Sequence, residues 1–403
     1  MKKVLISILT FFLLTINVNA LNLSSKNAVL YNMNEDKIVY ELNKDKKTSI
    51  ASLTKIMTTL VAIENIEDYN KKVTLKYTMF TGLAEQNAYV IGLRSGQVVT
   101  YNDLLYGMFL ASGADATRAI AISVAGTEEE YVKLMNKKAK ELGMNNTNFK
   151  NTTGLDENGQ YSTVNDVAIL LKNALKSEKF KEIFLTESYT FKDKSMTVKS
   201  SFKNTAKTYN YKVDYVKGAK TGYTFDAGKC LASIALDKEN NIEYLLITTN
   251  ASTDKSDAYH VKDAVTIYNH YFNNYKYHNL VDKDDLLLTL KTKYSKEKSV
   301  NIYATEDIKY YLENTFKKEN VKLKYAGTNI ITTDMKKGTK LGKIEVIYEG
   351  NVLDTIDIEL PKQIKFSILE YLKINIKYVI LLIIIIVLLF SIIIIKLIKR
   401  RRK

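Results

Sequence analysis

The sequence predicts an α+β domain with helices packed against an antiparallel sheet, then a small all-β domain and one C-terminal transmembrane helix. Strand hairpins flank a long stretch of amphipathic helical patterns, short alternating strands fill residues 285–360, and an unbroken apolar run occupies residues 378–395. The chain has 403 residues, which is too long for one small domain, so we expect two folded units with attachments.

The N-terminal segment predicts export. Lys2 and Lys3 precede an apolar run at residues 4–15, and the small-residue site VNA follows at 18–20. This order is typical of a secretory signal peptide. An uncleaved anchor is the alternative.

Two pairs of strands are predicted in the first domain. AVLY and KIVYEL surround a polar turn at residues 34–36, which indicates a hairpin near the N-terminus. Residues 230–236 and 243–249 read as two further strands around another polar turn. A helix at 262–275 should pack back on them.

The stretch between these pairs, residues 48–175, is predicted to be mainly helical. Thr100, Thr127 and Thr163 are each followed three residues later by an acidic residue and then by an amphipathic run. Such pairs form capping boxes at helix starts. Helices on one side of an antiparallel sheet give the α+β class.

The last third of the chain changes character. The segments LLLTLKT, SVNIYA, KLKYAG, GKIEVIYEG and VLDTIDIEL predict short strands, and Pro361, the only proline, ends them. Apolar residues between 364 and 376 fall on one helical face among lysines, which predicts an interfacial helix.

The apolar run at residues 378–395 predicts a membrane span. Its 18 residues would extend about 27 Å as a helix, enough for a bilayer core. KRRRK at 399–403 predicts a cytoplasmic end, although lysines also flank the other side. With an export signal at the start, the bulk of the protein is predicted to lie outside the membrane.

Composition excludes several classes of function. The net charge of +15 lies largely at the two chain ends, so it is no argument for nucleic-acid binding. Cys230 is the only cysteine, which excludes internal disulfides and multi-cysteine metal sites. The three histidines lack metal-ligand spacing, and we expect them to be surface or satisfied residues. No metal or organic cofactor is predicted.

Three short motifs carry the candidate chemistry. Ser52 and Lys55 lie three apart at a predicted helix start and therefore share one face. A lysine kept neutral can act as general base for a hydroxyl. The other two motifs are Ser112-Gly113-Ala114 and Lys220-Thr221-Gly222.

Each motif also has a structural explanation. They could be a serine helix cap beside a solvated lysine, a helix end with a glycine cap, and a strand start with a glycine bend. The three motifs occur in this order, 60 and 108 residues apart, within an exported α+β domain, which argues against their joint occurrence by chance. S-x-x-K together with K-T-G is a signature of serine penicillin-recognising enzymes.

On these motifs and their flanks the chain resembles the low-molecular-weight penicillin-binding proteins, which are serine-type D-alanyl-D-alanine carboxypeptidases. The flanks are ASLTKIMT, DLLYGMFLASGADA, NTTGLDENGQYST and VKGAKTGYT, within residues 22–275. The resemblance implies a beta-lactamase/transpeptidase-like catalytic domain. It implies peptidoglycan stem peptides and beta-lactam antibiotics as partners, no nucleic acid, and attachment to the cell membrane with the catalytic domain extracytoplasmic.

The resemblance also implies residue roles. Ser52 is the nucleophile, Lys55 its base, and Ser112 the proton relay to the leaving group. Lys220 supplies the positive charge that keeps Lys55 neutral, and Thr221 helps to bind the terminal carboxylate. Gly222 completes the K-T-G motif, and the N–H groups of Ser52 and Tyr223 form the oxyanion hole.

The match departs from the family at two places. Ala114 stands where the family usually has an asparagine, and residues 250–263 lack the arginine that often grips the substrate carboxylate. Lys255 is the nearest cation by sequence, and it lacks the bidentate fork of arginine.

Two other functions remain open from the sequence. A beta-lactamase would need a deacylating glutamate, for which Glu157 is the only obvious candidate, in a context that does not match. A penicillin-binding scaffold or sensor without useful catalysis is the other, because of Ala114. The predicted boundaries are a signal peptide at 1–20, a catalytic domain at 21–278, a β-rich domain at 279–361, a juxtamembrane helix at 362–377, a transmembrane helix at 378–395 and a basic tail at 396–403.

Overall fold

The computed structural model describes residues 21–401, so the predicted signal peptide at residues 1–20 lies outside the described residues. The chain divides into two compact units, the first ending at Asn273 and the second beginning at Asn274.

An antiparallel sheet forms the frame of the first unit, with the strand order β2-β1-β9-β8-β7. The pairing of β1 with β9 brings the N-terminal hairpin onto the last strands, with Val29 opposite Ile247. In chain order the strands are β1 (Asn27–Asn32), β2 (Lys37–Leu42), β3 (Lys72–Thr74), β4 (Val98–Thr100), β5 (Ser188–Thr190), β6 (Thr197–Lys199), β7 (Val216–Thr224), β8 (Gly228–Asp237) and β9 (Ile242–Ala251).

Helices of the first unit start where the sequence predicts them. The side chains of Thr100, Thr127 and Thr163 accept the backbone N–H three residues on, which confirms three N-caps, but only Thr100 and Asp103 form the reciprocal capping box. The helices are α1 (Thr54–Asn65), α2 (Tyr101–Phe109), α3 (Ala114–Ala125), α4 (Glu128–Glu141), α5 (Val164–Ala174), α6 (Glu178–Leu185), α7 (Ser201–Thr208) and α8 (Tyr259–Asn274).

The sheet lies between two helical layers. One face joins a large apolar core with α1 to α6. The other face meets α8, where Tyr268 Oη and Ser233 Oγ lie 2.9 Å apart and Tyr271 Oη donates to the Val39 carbonyl at 2.7 Å. Asp263 of α8 accepts the N–H groups of Ser24 and Ser25, which fixes the start of the described chain. The α+β class is confirmed, but helices cover both faces of the sheet and not the single side that the sequence predicts.

The second unit begins with small sheets, and every strand segment predicted there is present. The sequence missed β10, β13 and β15. The predicted helix ends at residue 275, with no strand directly after it. In the structure β10 begins at that residue, and its Tyr277 pairs with Tyr311 of β13. The strands are β10 (Tyr275–Val281), β11 (Leu286–Lys293), β12 (Ser299–Tyr303), β13 (Ile308–Glu313), β14 (Lys322–Gly327), β15 (Ile330–Thr332), β16 (Lys340–Tyr348) and β17 (Asn351–Glu359).

Two helices end the described chain. Ser367 caps α9 (Ile368–Ile374), whose apolar side chains are largely exposed. In α10 (Ile376–Arg401) the apolar side chains are also exposed. Within residues 21–401, only the helix at Ile376–Arg400 is long and apolar enough to cross a membrane.

Candidate active site

Ser52 lies in a single 3-10 turn, Ala51–Leu53, that leads directly into α1. Lys55 follows in the first turn of α1, so the two side chains share one side of the helix. Lys55 Nζ donates to Ser52 Oγ at 3.0 Å and to the Thr153 carbonyl at 2.6 Å. A hydroxyl therefore lies directly beside an amine.

The loop that carries Thr153 is pressed against the Ser52 turn. Gly154 has φ +83°, and a Cβ built there would lie 2.0 Å from the Ala51 carbonyl oxygen. Only glycine combines this backbone conformation with such a close approach. The NTTG segment of the sequence thus closes the site beneath Ser52.

Ser112 occupies the connection between α2 and α3, in a left-handed conformation with φ +63°. Such a conformation in a non-glycine residue is strained and is typical of functional positions. Asp115 anchors this connection, because its carboxylate accepts the backbone N–H groups of Ile91, Gly92 and Leu93. The short left-handed connection replaces the glycine-capped helix end that the motif alone would suggest.

The edge strand β7 brings the third motif to the same place. Lys220 Nζ donates to Ser112 Oγ at 3.0 Å, and Thr221 Oγ1 lies 2.5 Å from Ser201 Oγ. A Cβ built on Gly222 would lie 2.9 Å from the Ser52 backbone nitrogen. The strand therefore passes directly against Ser52, and a larger residue at 222 would separate them.

Both lysines are buried, Lys55 with 2% and Lys220 with 1% of their surface exposed. Burial lowers the pKa of Lys55 to about 7, opposed by the negative charge of Asp115. Burial, and then the charge of Lys55, lower the pKa of Lys220 well below its usual value. The resemblance implies that the charge of Lys220 keeps Lys55 neutral, but burial by the protein itself is the main cause of the lowered Lys55 pKa.

These groups open onto one cleft of about 1080 Å³. Six of the seven predicted site residues line it, and the seventh, Lys220, lies beneath it, bonded to Ser112. Its lining also includes residues that the sequence did not single out, among them Tyr89, Lys199, Ser201, Tyr209, Lys229 and His260.

Lys229 and His260 are the informative additions. Lys229 Nζ donates to the carbonyls of Asp254 and Asp257, both at 2.8 Å. His260 is only 7% exposed, its Nδ1 has no hydrogen-bond partner, and burial lowers its pKa to about 4. The expectation that all three histidines are surface or satisfied residues is therefore wrong for His260, and also for His278, whose Nε2 is buried without a hydrogen-bond partner. A lysine in the otherwise buried strand β8 was the signal available in the sequence.

The known proteins that this chain resembles are serine-site enzymes of the kind that this geometry indicates. The D-alanyl-D-alanine carboxypeptidase family matches residues 15–253, and the C-terminal domain of penicillin-binding protein 5 matches residues 275–365. The D-alanyl-D-alanine carboxypeptidase DacF of Bacillus subtilis is 32% identical over 342 residues, which cover 85% of this chain and 86% of DacF.

The chain belongs to the D-alanyl-D-alanine carboxypeptidase family.

Two further relatives agree. DacC of Escherichia coli, another D-alanyl-D-alanine carboxypeptidase, is 29% identical over 349 residues, covering 84% of this chain and 83% of DacC. The structure of penicillin binding protein 5 from Haemophilus influenzae shares the fold, with a TM-score of 0.59 and 24% identity over 85% of this chain and 98% of that one. The predicted family, fold and assignment as a serine-type carboxypeptidase are confirmed.

Members of this carboxypeptidase family act on peptidoglycan peptides and bind beta-lactams. In this member Ala114 lines the cleft, and its N–H donates to the Tyr89 carbonyl at 2.8 Å. Glu157, the residue considered for a beta-lactamase, is exposed and accepts from Asn151, outside the cleft lining.

Cys230 is buried, with its thiol pKa raised to about 12. Within the described part of the chain, no cluster of side chains could hold a metal ion.

Proposed function

We propose that this carboxypeptidase removes the terminal D-Ala from peptidoglycan stem pentapeptides through an acyl-enzyme on Ser52. One observation carries the proposal: a buried lysine amine with a pKa near 7 lies 3.0 Å from the Ser52 hydroxyl. A neutral amine at this distance is a competent general base.

The proposed reaction has two steps. Lys55 takes the Ser52 proton as Oγ attacks the carbonyl of the penultimate D-Ala, and the N–H groups of Ser52 and Tyr223 stabilise the oxyanion. Ser112, bonded to Lys220, passes its hydroxyl proton to the D-Ala nitrogen as the amide bond breaks, and the proton that Lys55 took from Ser52 replaces it. Water then hydrolyses the ester and regenerates Ser52. Beta-lactams acylate Ser52 because their ring amide resembles the D-Ala-D-Ala bond.

A carboxypeptidase must also recognise the free C-terminal carboxylate. We propose Lys229 for this contact, together with Thr221. In the β7–β8 pairing Lys229 lies opposite Tyr223 and diagonal to Thr221, on the same face of the sheet. Its ammonium has three N–H groups, and two are bound to carbonyls. The third and the unpartnered His260 Nδ1 remain for a carboxylate.

We further propose that α10 spans the cell membrane once, with the catalytic unit on the extracytoplasmic side. The export pattern at residues 1–20 and the basic residues after 395 support this orientation. The exposed apolar side chains of α9 fit a position at the membrane surface.

The first prediction tests the reaction. Full-length protein in detergent should release D-Ala from a pentapeptide, and a labelled penicillin should bind covalently. Both should vanish in Ser52→Ala and nearly vanish in Lys55→Arg, which keeps the charge but cannot become neutral. Measured D-Ala release by Ser52→Ala at the wild-type rate would refute the acyl-enzyme. Sustained nitrocefin turnover in place of a stoichiometric burst would identify a beta-lactamase.

The second prediction concerns pH. Acylation needs the neutral form of Lys55, whose pKa burial lowers to about 7. The acylation rate should therefore rise with pH through about 7 and level off above it. Stopped-flow measurements of the acylation rate between about pH 5 and about pH 9, a range that brackets the Lys55 pKa, would show this rise. A rate that stays flat across the range would exclude Lys55 as the base.

The third prediction concerns the carboxylate. Lys229→Met should raise KM for the pentapeptide by roughly 10-fold or more with little change in kcat, because one charge-assisted hydrogen bond is lost. Lys255→Met is the matched control: this exposed lysine at the cleft rim should change KM little. The opposite pattern, with KM raised only in the Lys255 variant, would assign the contact to Lys255.

The fourth prediction concerns topology. In intact cells, external protease should digest residues 21–361 while a tag placed after Lys403 stays protected. Permeabilised cells provide the control, since the tag should then become accessible. Protection of the catalytic unit and digestion of the tag would reverse the proposed orientation.

A further inference from the structure

We infer that Glu128, which lies outside the cleft lining, is a positioning residue for Lys55. Glu128 begins α4 and its side chain is about four-fifths buried beside Arg118, whose Nε lies 3.0 Å from Oε2. Its other oxygen, Oε1, accepts from the Thr152 backbone N–H at 3.0 Å and from Thr152 Oγ1 at 2.6 Å. The carboxylate thus holds one loop residue at two points.

Thr152 is held at a third point from the opposite side. Its carbonyl accepts from Thr58 Oγ1 at 2.7 Å, and Thr58 lies in α1 three residues after Lys55. The N–H, hydroxyl and carbonyl of Thr152 are therefore all bound. Because the next residue, Thr153, supplies the carbonyl 2.6 Å from Lys55 Nζ, this clamp fixes the position of that carbonyl.

The Thr153 carbonyl has two effects on a neutral Lys55. It accepts one N–H of the amine, which turns the lone pair toward Ser52 Oγ. It also favours the ammonium form, and it therefore opposes the lowering of the Lys55 pKa that burial causes. If the clamp is released, the amine is less well oriented and loses its proton more readily.

Arg118 connects the clamp with the turn at Thr81. Its Nη1 donates to the Thr81 carbonyl while its Nε faces Glu128. Arg118 and Arg94 are the only arginines before the last four residues of the chain. A guanidinium suits this bridging contact better than a lysine ammonium, because one nitrogen lies in an ion pair with Glu128 while another donates to the Thr81 carbonyl.

The test uses full-length protein and measures penicillin acylation against pH. Glu128→Ala should lower the plateau rate about 10-fold or more, through misplacement of the base. It should also move the midpoint of the profile to lower pH than in the wild type. Glu128→Gln keeps Oε1 as an acceptor and should retain most of the rate. Glu130→Ala is the matched control, because Glu130 lies on the same first turn of α4 and pairs only with Lys133 at the surface.

Thr58→Val provides a second variant that does not touch Glu128. It is nearly isosteric, removes the bond to the Thr152 carbonyl, and should shift the midpoint in the same direction. Melting temperatures of the variants detect a folding defect. Loss of folded protein lowers the amplitude of acylation but leaves the midpoint of its pH profile unchanged, so a shifted midpoint indicates a local effect.

The inference rests on the proposed function, and the outcomes keep the two apart. No acylation of wild-type protein at any pH would overturn both. Normal acylation of the wild type, with rate and midpoint unchanged in Glu128→Ala and Thr58→Val, would overturn the role of Glu128 alone.

Discussion

The burial of two lysine amines at one point, Lys55 and Lys220, is the constraint on which the rest of the site depends. Removing an ammonium group from water is unfavourable, so each amine either loses its proton or finds strong acceptors. Among residues 21–401 neither lysine makes an ion pair with a carboxylate, and their hydrogen-bond partners are two hydroxyls and two backbone carbonyls. Neutral acceptors satisfy the N–H groups without holding the protons as firmly as a carboxylate would.

This constraint explains the backbone geometry around the site. Carbonyl and hydroxyl partners must be brought within 3 Å of each amine, and three separate segments do this. Gly154 lies against the Ser52 turn, Ser112 adopts a left-handed conformation, and Gly222 allows β7 to pass beside Ser52. Strain at such positions persists only where the surrounding core determines it, and the large apolar core beneath the cleft supplies that support.

The sequence predicts the parts of the molecule that short-range rules govern. The caps at Thr100, Thr127 and Thr163 and the hairpin at β1 and β2 follow from local hydrogen bonding and alternation, and the motifs around Ser52, Ser112 and Lys220 predict residues that meet at the candidate site. Contacts between distant segments do not follow from local patterns. Glu128 meets Thr152 across 24 residues, and Lys229 reaches a loop 25 residues away. Strand β10 was missed because its tyrosine-rich run follows α8 without a glycine or proline to mark the boundary.

The near absence of arginine from the folded chain shapes how this site can recognise a substrate. A guanidinium can bind a carboxylate through two parallel hydrogen bonds, whereas an ammonium acts as a point charge. With Lys229 as its proposed cation, the site must therefore obtain its directional bonds elsewhere, and Thr221, bonded to Ser201, and His260 lie along the same cleft. Tethering Lys229 to two carbonyls restricts its flexible side chain before substrate arrives, which reduces the entropy lost on binding. The same principle applies at Lys55, where a clamped carbonyl restricts the amine: in both places a lysine gains through fixed backbone acceptors part of the orientation that its own structure lacks.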